Sequence, residues 1–263
     1  MKIKVVVLSI LIASLLIGCQ ERSKPLKIAA TSVPHAEMLE VAKEELSKNG
    51  VVLKIIIVDD YNIPNRLLSE GEVDANFFQH TPFLEEQKKQ FGFDIEVLER
   101  VHLEPLGIYS KCIKDLKDLK EKALVAIPND PTNEARALLL LQKEGLIELR
   151  PSAGFNATPL DILSNPLRLR FKELDASFLA RTLEDVDIGV IPANFALSVS
   201  LFPLKDALAL ESAENSPYAN IVAIRKGSGN ERRLLLLKRE LTSNKMRQFI
   251  LERYQGEIYP AFN

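Results

Sequence analysis

Short apolar runs alternate with amphipathic segments along nearly the whole chain. The runs at 26–30, 51–58, 124–127, 188–191 and 221–224 are apolar almost throughout, and 95–101 is apolar apart from Glu96, Glu99 and Arg100. That is the pattern of strands buried on both faces. Between them the period turns helical. The segment 34–48 places Met38, Val41, Ala42 and Leu46 on one face and stops at Asn49-Gly50. A second helix is predicted to start at Asp130-Pro131, with Asp130 as N-cap and Pro131 in the first turn. It runs through the leucine tract 138–141 and ends near Gly145. Such alternation predicts an α/β fold of parallel sheets flanked by helices. The sequence contains no internal repeat, low-complexity tract or long flexible linker. Two domains without a linker must exchange the chain more than once, and the extended stretches 106–110 and 218–221 are the expected crossings. One lobe is therefore expected at 25–107 plus 221–263, and the other at 108–220.

The first residues assign a compartment. Lys2 and Lys4 form a basic start, followed by an apolar stretch over 5–17. That stretch is short for a membrane span, which takes about 20 apolar residues. It ends at Leu16-Ile17-Gly18-Cys19, so residues 1–18 read as a cleaved signal peptide. The ending resembles a bacterial lipobox, in which the cysteine becomes the lipidated first residue of the mature chain. An ordinary secretory signal with an incidental cysteine is the alternative. Residues 19–25 would then be a hydrophilic tether to a membrane surface, with Cys19 carrying the acyl chains. Losing Lys2 and Lys4 with the signal moves the formal net charge from −2 to −4. A mildly acidic chain with interspersed charges has no electrostatic footprint for nucleic acid. Cys112 is the one cysteine besides Cys19, so no disulfide can form within the mature domain. A core must hold it together, and a chain of this length can build one.

Candidate chemistry is sparse on the side of catalysis. The sequence has no Gly-x-Ser-x-Gly elbow, no Walker-type loop and no His-Glu-x-x-His. His35, His80 and His102 have no Cys or His neighbour at metal-ligand spacing, and no metal or cofactor is expected. Groups suited to recognition are easier to find. "IPNDPTNEAR" leaves a predicted strand, turns, and enters a helix with Arg136 in its first two turns. Free amides at a helix start attract anions, and an arginine fork can grip a carboxylate bidentately. "IPANFA" and "SPYANIVAIR" each set an asparagine, Asn194 and Asn220, at the end of a predicted strand. An asparagine amide offers both donor and acceptor to an amino acid's charged groups. "VDANFFQHTPFL" crowds Phe77, Phe78, His80 and Phe83 beside a helix start. Taken singly, these residues also fit a solvated arginine, turn-forming asparagines, a structural histidine and core phenylalanines.

Taken together, "DANFFQHTPFL", "PLGIYSKCIKDLKDL", "IPNDPTNEARALLLLQKEGLI" and "SPYANIVAIR" resemble the signature segments of the methionine-binding lipoproteins, the NLPA family. These are substrate-binding components of ABC importers. The resemblance runs from about Leu26 to Phe249 with the segments in family order. It implies a two-lobed periplasmic-binding-protein fold, α/β in class, with a ligand cleft between the lobes. It also implies L-methionine, a related amino acid or a methionine-containing dipeptide as ligand. The implied partners are an ABC permease with its ATPase and, through the lipid, an extracytoplasmic membrane face. Carried over by segment, Phe78, His80 and Phe83 would form an aromatic cage, with Tyr109 as a further wall. Arg136 would hold the ligand carboxylate, and Asn194 and Asn220 would orient its amino and carboxylate groups. The sequence departs from the family pattern at Phe83, where many members have tyrosine, and at Glu104, where some have an aromatic residue. Two other classes stay open: an enzyme on the same fold, using His80 or Glu104 as acid or base, and an adhesin-type surface lipoprotein without a buried pocket.

Overall fold

Both long apolar runs and short ones become strands, in two separate sheets. The computed structural model describes residues 24–262; the expected signal peptide, Cys19 and most of the tether lie outside the described residues. The chain first builds β1 (Leu26–Ala30), β2 (Leu53–Ile57), β3 (Ala75–His80) and β4 (Ile95–Leu103). It then crosses to a second sheet with β5 (Leu106–Tyr109) and β6 (Leu124–Pro128). A small pair, β7 (Glu148–Leu149) and β8 (Ile162–Ser164), precedes β9 (Arg170–Leu174), β10 (Ile188–Pro192) and β11 (Ala209–Leu210). The chain finally returns to the first sheet for β12 (Ala219–Arg225) and β13 (Tyr259–Pro260). The six-stranded sheet has the order β13-β4-β12-β3-β1-β2, and the five-stranded sheet the order β11-β5-β10-β6-β9. The chain therefore passes between sheets at 103–106 and again at 210–219. The first passage comes just before the stretch expected from the sequence, and Ala219 and Asn220 already belong to the first sheet.

The sheets are mixed rather than parallel. β1 runs parallel to β2 and β3, but β12 is antiparallel to both β3 and β4. In the second sheet β6 runs parallel to β9 and β10, while β5 is antiparallel to β10 and β11. Buried apolar runs mark a strand covered on both faces whatever its direction, which is why the pattern could not separate the two cases. The coverage itself is clear. Along β1, Leu26, Ile28 and Ala30 enter one core cluster while Ala29 enters another. Along β12, Val222 and Ile224 join the first cluster, and Ile221 and Ala223 the second. The second half repeats the scheme, with Val125 and Ile127 on one side of β6 and Ala126 on the other. This is the two-residue period of a pleated strand.

Nine α-helices among the described residues cover these faces. They are α1 (Glu37–Lys48), α2 (Pro64–Ser69), α3 (Thr81–Phe91), α4 (Pro131–Lys143), α5 (Ala176–Thr182), α6 (Ala193–Ser198), α7 (Pro203–Asp206), α8 (Arg232–Leu241) and α9 (Asn244–Tyr254). α1 buries Met38, Leu39, Ala42 and Leu46 against Leu234, Leu237, Met246 and Ile250 of α8 and α9. α4 begins as its sequence requires. The Asp130 carboxylate accepts from the Asn133 backbone N–H at 3.0 Å, with Pro131 in the first turn, and Gly145 follows the helix at φ 73°. No helix of the described residues is long and apolar enough to cross a membrane. Three strand ends, those of β3, β6 and β10, open toward one place between the sheets. In open α/β sheets this is where ligands bind.

Candidate ligand-binding site

At those strand ends lies a cavity of about 330 Å³, lined by residues of both halves. Tyr61, Phe78, Gln79, His80, Phe83, Glu104 and Asn220 line it from the first half, or from the crossing that leaves it. Asn133, Arg136, Pro192, Ala193 and Asn194 line it from the second.

The aromatic wall comes from a break in β3. The partners of β12 run Asn220 with His80 and Ile221 with Gln79, then jump from Val222 to Phe77, so Phe78 is an extra, bulged residue. A bulge re-aims side chains and interrupts alternation. Phe77 accordingly stays in the core, while Phe78, Gln79 and His80 in succession reach the cavity. Phe78 meets Phe83 edge-on at 5.8 Å between ring centroids, and Tyr61 lies 5.7 Å from each. Tyr61 comes from the loop after β2, and its ring also packs on Phe195 at 5.1 Å. Burial pushes its phenol well above its ordinary range, so the hydroxyl is a neutral donor. It donates to Asn194 Oδ1 at 2.7 Å and joins the two halves over the cavity.

His80 caps α3. Its Nδ1 accepts the Phe83 backbone N–H at 3.1 Å, so Nε2 carries the hydrogen and donates to Asn133 Oδ1 across the cleft at 3.1 Å. Burial, with Arg136 nearby, lowers its pKa to about 3, and the ring is neutral at pH 7. Gln79 is held by Asn65 and Asn76, which leaves no free group on its amide.

The polar lining of the cavity is mostly a set of donors. Asn194 Oδ1 is taken by Tyr61 and Asn220 Oδ1 accepts from His35 Nε2 at 3.0 Å, so both asparagines keep their NH2 for a ligand. These amide orientations follow from the partners each group can have. Arg136 is 4% exposed. Its Nε bonds both oxygens of Glu211 at 2.9 and 3.0 Å. Its Nη2 donates to Glu211 Oε2 at 2.5 Å and to the Glu104 carbonyl at 2.7 Å. The guanidinium also lies 4.4 Å from the centre of the Tyr218 ring. This is neither a solvated arginine nor a wholly free fork: an internal carboxylate holds one edge, and the residue still lines the cavity.

Six of the seven residues expected to bind ligand thus meet around one cavity: Phe78, His80, Phe83, Arg136, Asn194 and Asn220. Tyr109 does not line it. In β5, Leu106 and Ile108 point into one core cluster and Tyr109 into the opposite one, with Ile191 and Phe195. Its ring lies over Gly107, where a Cβ would come within 2.7 Å of it. Its buried hydroxyl has no hydrogen-bond partner among the described residues. Tyr61, Gln79, Asn133 and Glu104 were not expected as ligand contacts. Asn133 and Gln79 sat in quoted motifs, whereas Tyr61 lies in a loop whose sequence carries no comparable signal.

Comparison with known proteins places this arrangement. The model of the NlpA lipoprotein family matches residues 26–262. The chain belongs to that family. It is 39% identical over 248 residues to the methionine-binding lipoprotein MetQ of Bacillus subtilis (strain 168), covering 93% of this chain and 90% of that protein. Among solved structures it resembles a nutrient-binding protein from Burkholderia cenocepacia bound to methionine. The TM-score is 0.87 at 43% identity, over 90% of this chain and 100% of that one. It also resembles a periplasmic substrate-binding protein of an ABC transporter from Coxiella burnetii, with a TM-score of 0.85 at 43% identity, over 90% and 100% of the two chains. The α/β fold with a cleft between two halves is that of these family members.

Proposed function

We propose that this chain is a lipid-anchored substrate-binding protein of an ABC importer that captures methionine and delivers it to a membrane permease. The observation that carries the reading is the mixed lining of the cavity. Three rings, Tyr61, Phe78 and Phe83, line it together with Arg136, Asn194 and Asn220, which present donors. A thioether fits against the rings, where each sulfur–ring contact contributes about 0.3–1.5 kcal/mol. The ligand carboxylate fits the donors. Methionine-binding and ABC-transporter relatives support the same assignment. Binding and release, rather than catalysis, is the role of the site, in keeping with the family.

Closure follows from the bonds that cross between the halves. Tyr61 to Asn194, His80 to Asn133 and Asn62 to Asp175 span the cleft, at 2.7, 3.1 and 3.3 Å. A ligand that bridges both walls favours the closed form over an open one. Added to protein stripped of bound ligand, L-methionine should raise the unfolding midpoint and reduce the scattering radius. An unchanged midpoint and radius at saturating methionine would overturn the reading.

The anchor belongs to the same proposal. Acylation at Cys19 would hold the domain at an extracytoplasmic membrane face, within reach of a permease and its ATPase. Two acyl signals give stable anchoring at about 0.8 kcal/mol per buried CH2, which one chain does not. Cys19→Ala should leave a folded, methionine-binding domain in the soluble fraction; a variant still labelled by fatty acid and sedimenting with membranes refutes the anchor.

A further inference from the structure

Behind Glu104 and Asn220 runs a chain of buried polar groups that do not line the cavity. His35 and His102 are 0% exposed, and Glu104 is 5% exposed. Thr31 Oγ1 lies 2.7 Å from His35 Nδ1. His35 Nε2 lies 3.0 Å from Asn220 Oδ1 and 3.3 Å from Glu104 Oε1. His102 Nε2 lies 2.6 Å from the same Glu104 oxygen, and Glu104 Oε2 accepts the Asn194 backbone N–H at 3.1 Å. Three potential metal-ligand atoms thus gather within 4.8 Å. Two ligands on a tetrahedral metal at about 2.0–2.1 Å stand roughly 3.3 Å apart. The 2.6 Å separation of His102 from Glu104 is instead a hydrogen bond.

The tautomers follow from the partners. An ionised carboxylate only accepts, so His102 Nε2 carries a hydrogen toward Glu104, while His35 Nε2 gives its one hydrogen to Asn220 Oδ1. His35 Nδ1 then accepts from the Thr31 hydroxyl, and His102 Nδ1 is bare, which agrees with its having no partner among the described residues. Burial lowers the two histidines to about 4 and about 3, so at pH 7 both are neutral donors. Neutral donors stabilise a carboxylate without cancelling its charge. A lysine or arginine in their place would form an ion pair and remove that charge from use.

The charge then has one use. The described lining residues other than Glu104 offer a ligand donors or apolar surface. Arg136 and the NH2 groups of Asn194 and Asn220 are donors, while the acceptors of Gln79, Asn133 and Asn194 are engaged. Glu211 already matches the charge of Arg136, which leaves Glu104 as the carboxylate without a cationic side chain bonded to it. We propose that Glu104 receives the α-ammonium of the ligand, that His102 is a positioning residue holding it aimed and ionised, and that His35 is a positioning residue turning the Asn220 amide NH2-first into the cavity. This rests on the reading of the cavity as an amino-acid site. It narrows the ligand class to compounds with a free ammonium and a free carboxylate on one carbon. Methionine at the C-terminus of a peptide, whose nitrogen is an amide, and the 2-hydroxy analogue are disfavoured.

Calorimetry on stripped protein at pH 7.5, with L-methionine and its 2-hydroxy analogue, tests this through a ratio. Wild type should prefer methionine by at least about 10-fold, the scale of one charge-assisted hydrogen bond. Glu104→Gln should weaken methionine by a similar factor and leave the hydroxy analogue within about threefold, so the preference collapses. His102→Leu should shift the ratio the same way, and His102→Gln, which keeps an N–H donor, should restore most of it. Removing that donor also raises the pKa of a carboxylate that burial already raises and that His35, Arg136 and the Asn194 N–H pull down; Tyr61 and Tyr254 are the other titratable groups facing it. The methionine preference should therefore fail at higher pH in His102→Leu than in wild type. Equal weakening of both ligands by His102→Leu, with an unmoved pH profile, would reduce the histidines to scaffolding and overturn the proposal. A Glu104→Gln protein that retains the preference overturns it as well. If Glu104→Gln does not fold, the His102 pair and the wild-type pH profile still decide. Wild type that binds neither compound instead refutes the methionine reading itself, a distinct outcome.

Discussion

Arg136→Ala should lose methionine affinity by roughly 30- to 4,000-fold. That is the 2–5 kcal/mol cost of removing one partner of a desolvated, hydrogen-bonded charge pair, at about 1.4 kcal/mol per tenfold. The same substitution should destabilise the ligand-free protein, because the guanidinium is 4% exposed and bound along one edge to Glu211. Stripping a partner from a fully buried pair costs about 3–5 kcal/mol. The Glu211 side chain is 17% exposed and can take up water, so the loss should lie nearer 2 than 5 kcal/mol. The two effects separate in Arg136→Ala/Glu211→Gln. Neutralising Glu211 should recover much of the stability and none of the affinity. Arg136→Lys should recover affinity only in part, since it keeps the charge but cannot hold Glu211 and a ligand carboxylate together. Chemical unfolding and titration calorimetry on stripped protein measure the two quantities. A folded Arg136→Ala protein with wild-type affinity would remove Arg136 from the site.

How far the sequence anticipated this site depends on how local each signal is. The strands at 26–30, 124–128 and 188–192 and the start of α4 were legible, because burial on both faces and an Asp-Pro cap write themselves into consecutive residues. The family segments brought Phe78, His80, Phe83, Arg136, Asn194 and Asn220 together for the same reason: each lies in a compact motif. Three things were not legible. Strand direction leaves no mark on an apolar run, so the antiparallel β5, β4 and β12 could not be told from parallel neighbours. The bulge at Phe78 changes which side chains face the cavity, yet no glycine in β3 announces it. The partnerships of Arg136 with Glu211 and of His35 with His102 and Glu104 join residues far apart in the chain, where spacing rules for metal or ion-pair motifs have no purchase. Tyr109 shows the converse. Its segment matched the family, but strand alternation sends its ring into the core beside Ile191.

Phe77 carries the other large expected effect, and it links core to site. The residue is 0% exposed, in one cluster with Leu26, Ile28, Val101 and Val222. Its ring meets His35 edge-on at 4.6 Å and His102 at 5.3 Å. It is thus the apolar wall against which both histidines stand. Phe77→Ala should destabilise the protein by about 3–5 kcal/mol, the usual range for a phenylalanine deleted from a core. Against a typical total of about 5–15 kcal/mol, that threatens folding itself, so a milder variant is needed to read the site. Phe77→Leu keeps most of the volume but not the flat face that fixes the two imidazoles. It should lower the unfolding midpoint less than Phe77→Ala and still weaken methionine binding, because the histidines gain freedom and Glu104 with them. Leu237→Ala provides the contrast. Leu237 is equally buried in the same cluster, but it stands on α8 and makes no ring contact with the histidines. It should cost about 2–5 kcal/mol in stability and leave the affinity of the folded protein unchanged. If Phe77→Leu also bound methionine like wild type, the core behind β3 would be a scaffold only, and the orientation of the histidines would have to come from their hydrogen bonds alone.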